Sequence, residues 1–249
     1  MLKSHLHLER LVRLVSRRKI VYVIVEGPSD DIALGAILQR FFDRDMVHVE
    51  IIHGDITSDL EVNKSNIVAK IGNTIKSYAN AYHFKQDDFK EVIHLVDTDG
   101  AFIGEDCIVK DIAANKPMYS LKNIHTNNPE KLKLRNKRKS ENLNQIAHLN
   151  KVWKSIPYKA YYMSCNLDHV LYNKLNSSDD EKENNAYAFA RRYKNDIDEF
   201  LAFILDSNFS KINDFKDSWK FIMTEKHSLE RWSNLGICFK EIKKEQDKI

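Results

Sequence analysis

Two short acidic motifs in this sequence can do chemistry together. Glu26-Gly27-Pro28-Ser29-Asp30 follows the apolar run IVYVIV at 20–25, and Asp97-Thr98-Asp99-Gly100 follows VIHLV at 92–96. A carboxylate at the carboxyl end of a parallel strand faces the crevice where open α/β sheets hold their ligands. If the two strands are neighbours, Glu26, Asp97 and Asp99 meet in one crevice. Carboxylates that close repel, and they stay ionised together only around a cation. An all-oxygen donor set suits a hard ion, Mg²⁺ or Mn²⁺, rather than Zn²⁺ or Cu²⁺. Such an ion stabilises charge on a phosphoryl oxygen and helps generate or expel an alkoxide. The bland reading is a Rossmann-like sheet whose acidic strand ends are merely solvated.

The surrounding elements must position these motifs. Residues 20–25 are aliphatic on both faces, as a central parallel strand requires. The turn at 27–30 leads into a helix over 31–42 that buries Ile32, Ile37, Leu38 and Phe41, with Ser29 or Asp30 as its cap. A second strand, 46–52, ends in His53-Gly54-Asp55; either His53 or Asp55 lines the crevice, or Gly54-Asp55 makes a turn. Ile67, Ile71, Ile75 and Tyr78 predict a core-facing helix over 66–82. The strand ending at Asp99 closes a βαβαβ unit with right-handed crossovers. Ahead of it all, Leu6, Leu8, Leu11, Val12, Leu14 and Val15 recur at helical spacing. Arg10, Arg13, Arg17 and Arg18 fall on the other side, as a solvated face or a nucleic-acid contact.

After Gly100 the pattern changes. Residues 105–157 are polar, contain Pro117 and Pro129, and carry the run KLKLRNKRK at 131–139. The stretch reads as an insertion into the sheet topology. Its Lys131, Lys133, Arg135, Lys137, Arg138 and Lys139 form either a solvated loop or a phosphate-binding loop that overhangs the crevice. A fourth strand over 158–165 leads to Asp168, and His169 beside it reads as structural. A charged connection at 173–185 divides a domain of 1–175 from a helical part of 176–249. There Tyr187, Tyr193, Phe200, Trp219 and Trp232 belong either to a core or to a docking face.

The chain has 249 residues and a formal net charge of +3, which points to no partner by itself. Cys107, Cys165 and Cys238 have no zinc spacing and fit a reducing compartment, so a cytoplasmic location is expected. Glu9, Arg10 and Arg13 interrupt any signal-peptide pattern, and no apolar stretch approaches the roughly 20 residues of a membrane span. No P-loop is present.

The order strand–Glu-Gly-x-x-Asp–helix, with strand–Asp-x-Asp about 70 residues later, resembles the Toprim domain of topoisomerases, primases and several nuclease families. The resemblance covers roughly residues 19–104, and 158–173 more loosely. It implies an α/β Toprim sheet, mostly parallel and flanked by helices. The chain lacks room for a topoisomerase's tyrosine domain or a primase's zinc-binding parts, so the resemblance implies a Mg²⁺-dependent nuclease. Glu26 would be metal ligand and general acid/base, and Asp97 and Asp99 would hold the metal. Asp30 would stand behind them or cap the helix. Asp168 would complete a second metal position, where OLD-family nucleases carry a Glu. VEGPSDD, the His-Gly-Asp, LVDTDG, the basic insertion and the helical tail are similar to the Toprim effectors of the PARIS anti-phage systems. That likeness implies an ABC-type ATPase partner that holds the effector silent, a homodimer on release, and cleavage of host transfer RNA. The alternatives are a housekeeping RNA-maturation nuclease and a non-catalytic metal- and nucleic-acid-binding regulator.

Overall fold

The computed structural model describes residues 18–42, 45–51 and 55–246. The helix expected at Leu6 to Val15, with its Arg10, Arg13 and Arg17, and His53 with Gly54 lie outside them. Strand β1, Ile20–Val25, has all six side chains buried, as a strand covered on both faces must. It pairs in parallel with β2, Met46–Ile51, on one side and with β3, Phe89–Asp97, on the other. A later strand, Ile156–Met163, extends the sheet in parallel beyond β3, and a two-residue strand, Lys151–Val152, closes that edge antiparallel. The result is an α/β fold with a mostly parallel sheet flanked by helices, compatible with a Rossmann-like architecture.

Alternation along β1 divides the core in two. Val21, Val23 and Val25 face α1, Pro28–Phe41, through Leu34 and Ile37. Ile20, Tyr22 and Ile24 face α2, Ile67–Ala81, through Ile67, Ile71 and Ile75. Helix α1 starts three residues earlier than the hydrophobic stripe predicts, because Pro28 is preset for the first helical turn.

The insertion is ordered. Strands β4 (Ile108–Lys110), β5 (Met118–Tyr119) and β6 (Ile124–Thr126) form a small sheet in the order β4-β6-β5. The basic run, expected as a loop, lies in a 19-residue helix, α3, Pro129–Ala147. Pro129 opens it, and the Asn128 side chain caps it by accepting the Lys131 N–H at 3.0 Å. Leu132, Asn136, Lys139, Leu143 and Ile146 are buried at alternating spacings of three and four, which is why a polar, basic segment folds as a helix. Strands β7 (Lys151–Val152) and β8 (Ile156–Met163) follow.

Helix α4, Leu167–Tyr172, is followed by α5 (Asp179–Tyr193), α6 (Ile197–Asp206), α7 (Phe215–Ile222) and α8 (Leu235–Gln246). Phe189, Tyr193, Phe200, Ile204 and Phe239 pack in the same cluster as Val21 and Val23, and Trp219 packs in the cluster of Tyr22. The helices after residue 176 therefore complete both cores of the sheet. Of the aromatic residues considered as a docking face, Tyr193, Phe200 and Trp219 are buried in the chain itself, and Tyr187 is exposed. The three cysteines are free and buried. Among the described residues, no helix is long and apolar enough to cross a membrane.

Candidate functional site

The carboxyl ends of β2, β1 and β3 lie side by side, and each delivers one carboxylate to the same point. Glu26 follows β1 directly, Asp55 follows β2, and Asp99 follows β3. One oxygen from each lies within 4.8 Å of the others. Glu26 is fixed by accepting the Asp97 N–H on Oε1 at 3.1 Å. Asp55 does both things expected of its position. Its Oδ1 holds a turn by accepting the Thr57 N–H at 2.7 Å and hydroxyl at 2.5 Å, while Oδ2 faces the crevice.

Asp99 reaches the crevice through an unusual backbone. Asp99 (φ 48°) and Gly100 (φ 64°) are both left-handed, a conformation that costs a non-glycine residue about 1–3 kcal/mol unless its surroundings hold it. Here they do. The Asp99 N–H donates to the Cys165 carbonyl at 2.7 Å. Thr98 Oγ1 donates to the Ser228 carbonyl at 3.0 Å and accepts the Cys165 N–H at 2.8 Å. At Gly100 a Cβ would stand 2.6 Å from Leu229 Cδ2 and 2.9 Å from Ile124 Cδ1, so a side chain there would have to push both aside in a left-handed turn.

A fourth group fills the centre. Lys139, from α3, is wholly buried, with its Nζ 2.5 Å from Asp55 Oδ2, 2.5 Å from Asp99 Oδ2 and 3.9 Å from Glu26 Oε1. Burial works against its charge, but Asp55, Asp99 and Glu26 outweigh burial and hold the ammonium well above its ordinary pKa. Burial also opposes ionisation of Asp55, yet the Lys139 charge and hydrogen bond pull its pKa below the ordinary value. Glu26 goes the other way. Burial and the Asp55 charge push it well above the usual carboxylate range, against the pull of Lys139. The two carboxyl groups are thus pushed in opposite directions, Asp55 towards its charged form and Glu26 towards its neutral one.

Asp97 is not part of this group. Residues two apart on a strand share a face, but β3 ends at Asp97 and the left-handed turn re-aims Asp99. Among the described residues the carboxylate oxygens within 4.8 Å of one another are those of Glu26, Asp55 and Asp99, so Asp55 joins two of the expected residues there, while Asp97 is buried nearby and feels the charges of Asp99 and Asp55. Burial, then the Asp30 charge, raises the Asp97 pKa well above its ordinary value. Asp30 caps α1 by accepting the N–H groups of Glu26 at 3.2 Å and Gly27 at 3.0 Å. Burial pushes its pKa up to about 6 despite those bonds, and Asp168 adds to the rise. Asp168, buried in the first turn of α4, thus acts on Asp30 and lies outside the clustered group. His169 is buried, and burial lowers its pKa to about 4, in keeping with a structural role.

The basic residues divide by function. Lys139, expected to hold nucleic acid, is withdrawn into the carboxylates because it lies on the buried stripe of α3. Arg135 donates to the Asp99 carbonyl at 2.8 Å and the Tyr119 hydroxyl at 3.0 Å, and Arg138 donates to the Ser58 carbonyl at 3.0 Å. Both brace the loops of the triad. Lys133 pairs with Glu130 and Glu105, whereas Lys131 and Lys137 are exposed.

Three carboxylates gathered at one point could hold a metal ion, and in this structure the Lys139 ammonium lies among them. Glu26, Asp55 and Asp99 are the residues that would hold such an ion. No protein-family model, curated protein or solved structure matches this chain.

Proposed function

We propose that this chain is a metal-dependent endonuclease of the Toprim type, serving as a toxic effector of anti-phage defence that cleaves host transfer RNA. The observation that carries the reading is the convergence of Glu26, Asp55 and Asp99 at three adjoining strand ends. Mg²⁺, or Mn²⁺ in its place, would be held by these three carboxylates and would supply charge stabilisation at a phosphoryl oxygen. The chain's own part is proton handling and restraint. Glu26, at the strand end beside Asp55 and Asp99, would act as the general acid/base that the Toprim resemblance implies. An effector harmful to its own cell needs a silent state, and a crevice filled by Lys139 is consistent with one. The likeness to the PARIS effectors adds an ABC-type ATPase that would hold the chain inactive and a homodimer on release.

The test is expression of the chain alone, followed by sequencing of the cell's small RNAs and Mg²⁺-dependent cleavage with purified protein. Glu26→Gln keeps the shape of the site and should lower cleavage about 100- to 10,000-fold. Full cleavage by a well-folded Glu26→Gln protein refutes the assignment. A monomer that cleaves RNA yet leaves cells healthy would instead favour a housekeeping nuclease.

A further inference from the structure

Beside the triad, on the other side of α3, lies a cavity of about 430 Å³. Four of its lining residues are cationic, Lys116, Lys131, Arg135 and Arg138, and none is acidic. Its walls also carry two exposed leucines, Leu60 (83 % exposed) and Leu134 (65 %), whose side chains could lie against a ring face. Asn115 and Asn127 add amide groups that can pair with the edge of a base. Cations for a phosphate, apolar side chains for a ring face and amides for a ring edge are the three needs of a nucleotide. The volume falls in the roughly 300–1,000 Å³ range of small-ligand pockets, which holds one nucleotide but no stretch of duplex.

The cavity and the triad share a wall. Arg135 lines the cavity and donates to the Asp99 carbonyl. Ser58 lines it too, and its N–H donates to the Asp55 carbonyl at 3.1 Å.

We propose that this cavity binds one unpaired nucleotide of a nucleic-acid strand, next to the phosphate that the triad handles. The proposal deepens the nuclease reading, on which it rests for the choice of RNA as the strand. It places recognition in unpaired, extruded bases, which is how sequence is read in folded RNA.

The probe is a short labelled oligouridylate, and its binding to the full chain carrying Glu26→Gln is followed by fluorescence polarisation over a salt series. A DNA strand of the same length, an RNA duplex and polyglutamate serve as comparisons. Lys116→Gln with Lys131→Gln should flatten the salt slope by roughly 1.4, at about 0.7 per phosphate contact on a single strand. Leu134→Asn, a surface change, should weaken the oligouridylate about tenfold while leaving the duplex unaffected. Unchanged affinity and slope in these variants would overturn the proposal. So would an equal loss for the duplex, which would mean a general phosphate-attracting surface, or polyglutamate competing as well as RNA, which would mean an acidic-peptide site. Oligonucleotide binding that depends on Lys116, Lys131 and Leu134 in a chain whose unaltered form cuts no RNA would keep the cavity assignment and remove only the nuclease reading.

Discussion

Lys139→Met is the most informative single change. It keeps the apolar stem of the side chain and removes the ammonium with its charge and hydrogen bonds. Asp55 and Asp99, whose side chains are 15 % and 21 % exposed, then face each other and Glu26 with no cation between them. Breaking a buried ion pair by removing one partner costs about 3–5 kcal/mol. Because both carboxylates retain some access to water, the lower end applies, about 3 kcal/mol. For a chain of this size each kcal/mol moves Tm by roughly 2–4 °C, so without metal the variant should melt about 6–12 °C below the unaltered protein. Mg²⁺ should reverse the loss. An ion at a hundred times its Kd contributes about 2.7 kcal/mol, which nearly restores the variant. The unaltered protein should gain less, since its ion must first displace the ammonium from Asp55 and Asp99. Calorimetric melting of both proteins in chelator and in Mg²⁺ measures all four values. Equal Tm in chelator, or a Mg²⁺ increment no larger in the variant, would refute a charge-balancing Lys139 in the cation's place.

Further outcomes follow from the same geometry. In titration calorimetry Asp99→Ala should abolish the Mg²⁺ heat and Asp97→Ala should retain most of it; equal loss in both would return Asp97 to the ligand set. Asp30 binds its proton more tightly in the folded chain (pKa about 6) than at its ordinary value of 3.8, so folding takes up a proton between those limits. This contribution is full below pH about 4 and is lost as pH rises through about 6. Urea melts of Asp30→Asn should therefore show a smaller fall in stability across that window than the unaltered protein, and parallel curves would contradict the assignment. Gly100→Ala forces a Cβ against Leu229 and Ile124 in a left-handed turn, and should cost roughly 2–4 kcal/mol in a urea melt; a neutral change would show that the turn is not tightly held.

Much of the fold is legible because burial on both faces leaves a plain record. IVYVIV, six apolar residues rich in β-branched types before a turn, reads as a covered strand, and the stripe Ile67, Ile71, Ile75 marks its helix within a residue at each end. The helices after residue 176 are legible as helices but not in their placement. A stripe of Tyr193, Phe200 and Ile204 looks the same whether it faces its own sheet or a partner, since both environments remove it from water. What decides between them is packing: these residues share a cluster with Val21 and Val23 and with Leu34 and Ile37 of α1.

The site is legible where it follows the strands and obscure where it depends on turns. Glu26 is readable because it sits directly at the end of β1. Asp97 and Asp99 look equivalent in sequence, yet a left-handed residue at 99 gives them different neighbours, and side-chain alternation carries no warning of it. Lys139 is the instructive case. Within KLKLRNKRK its charge is one of six, and composition alone assigns all of them to solvent or phosphate. Its spacing gives a different answer: Leu132, Asn136, Lys139, Leu143 and Ile146 define one buried stripe, and a lysine on such a stripe needs a carboxylate to meet it. The crevice holds three. Period and charge, taken together, place this one cation inside the acidic site, whereas charge taken alone places it outside.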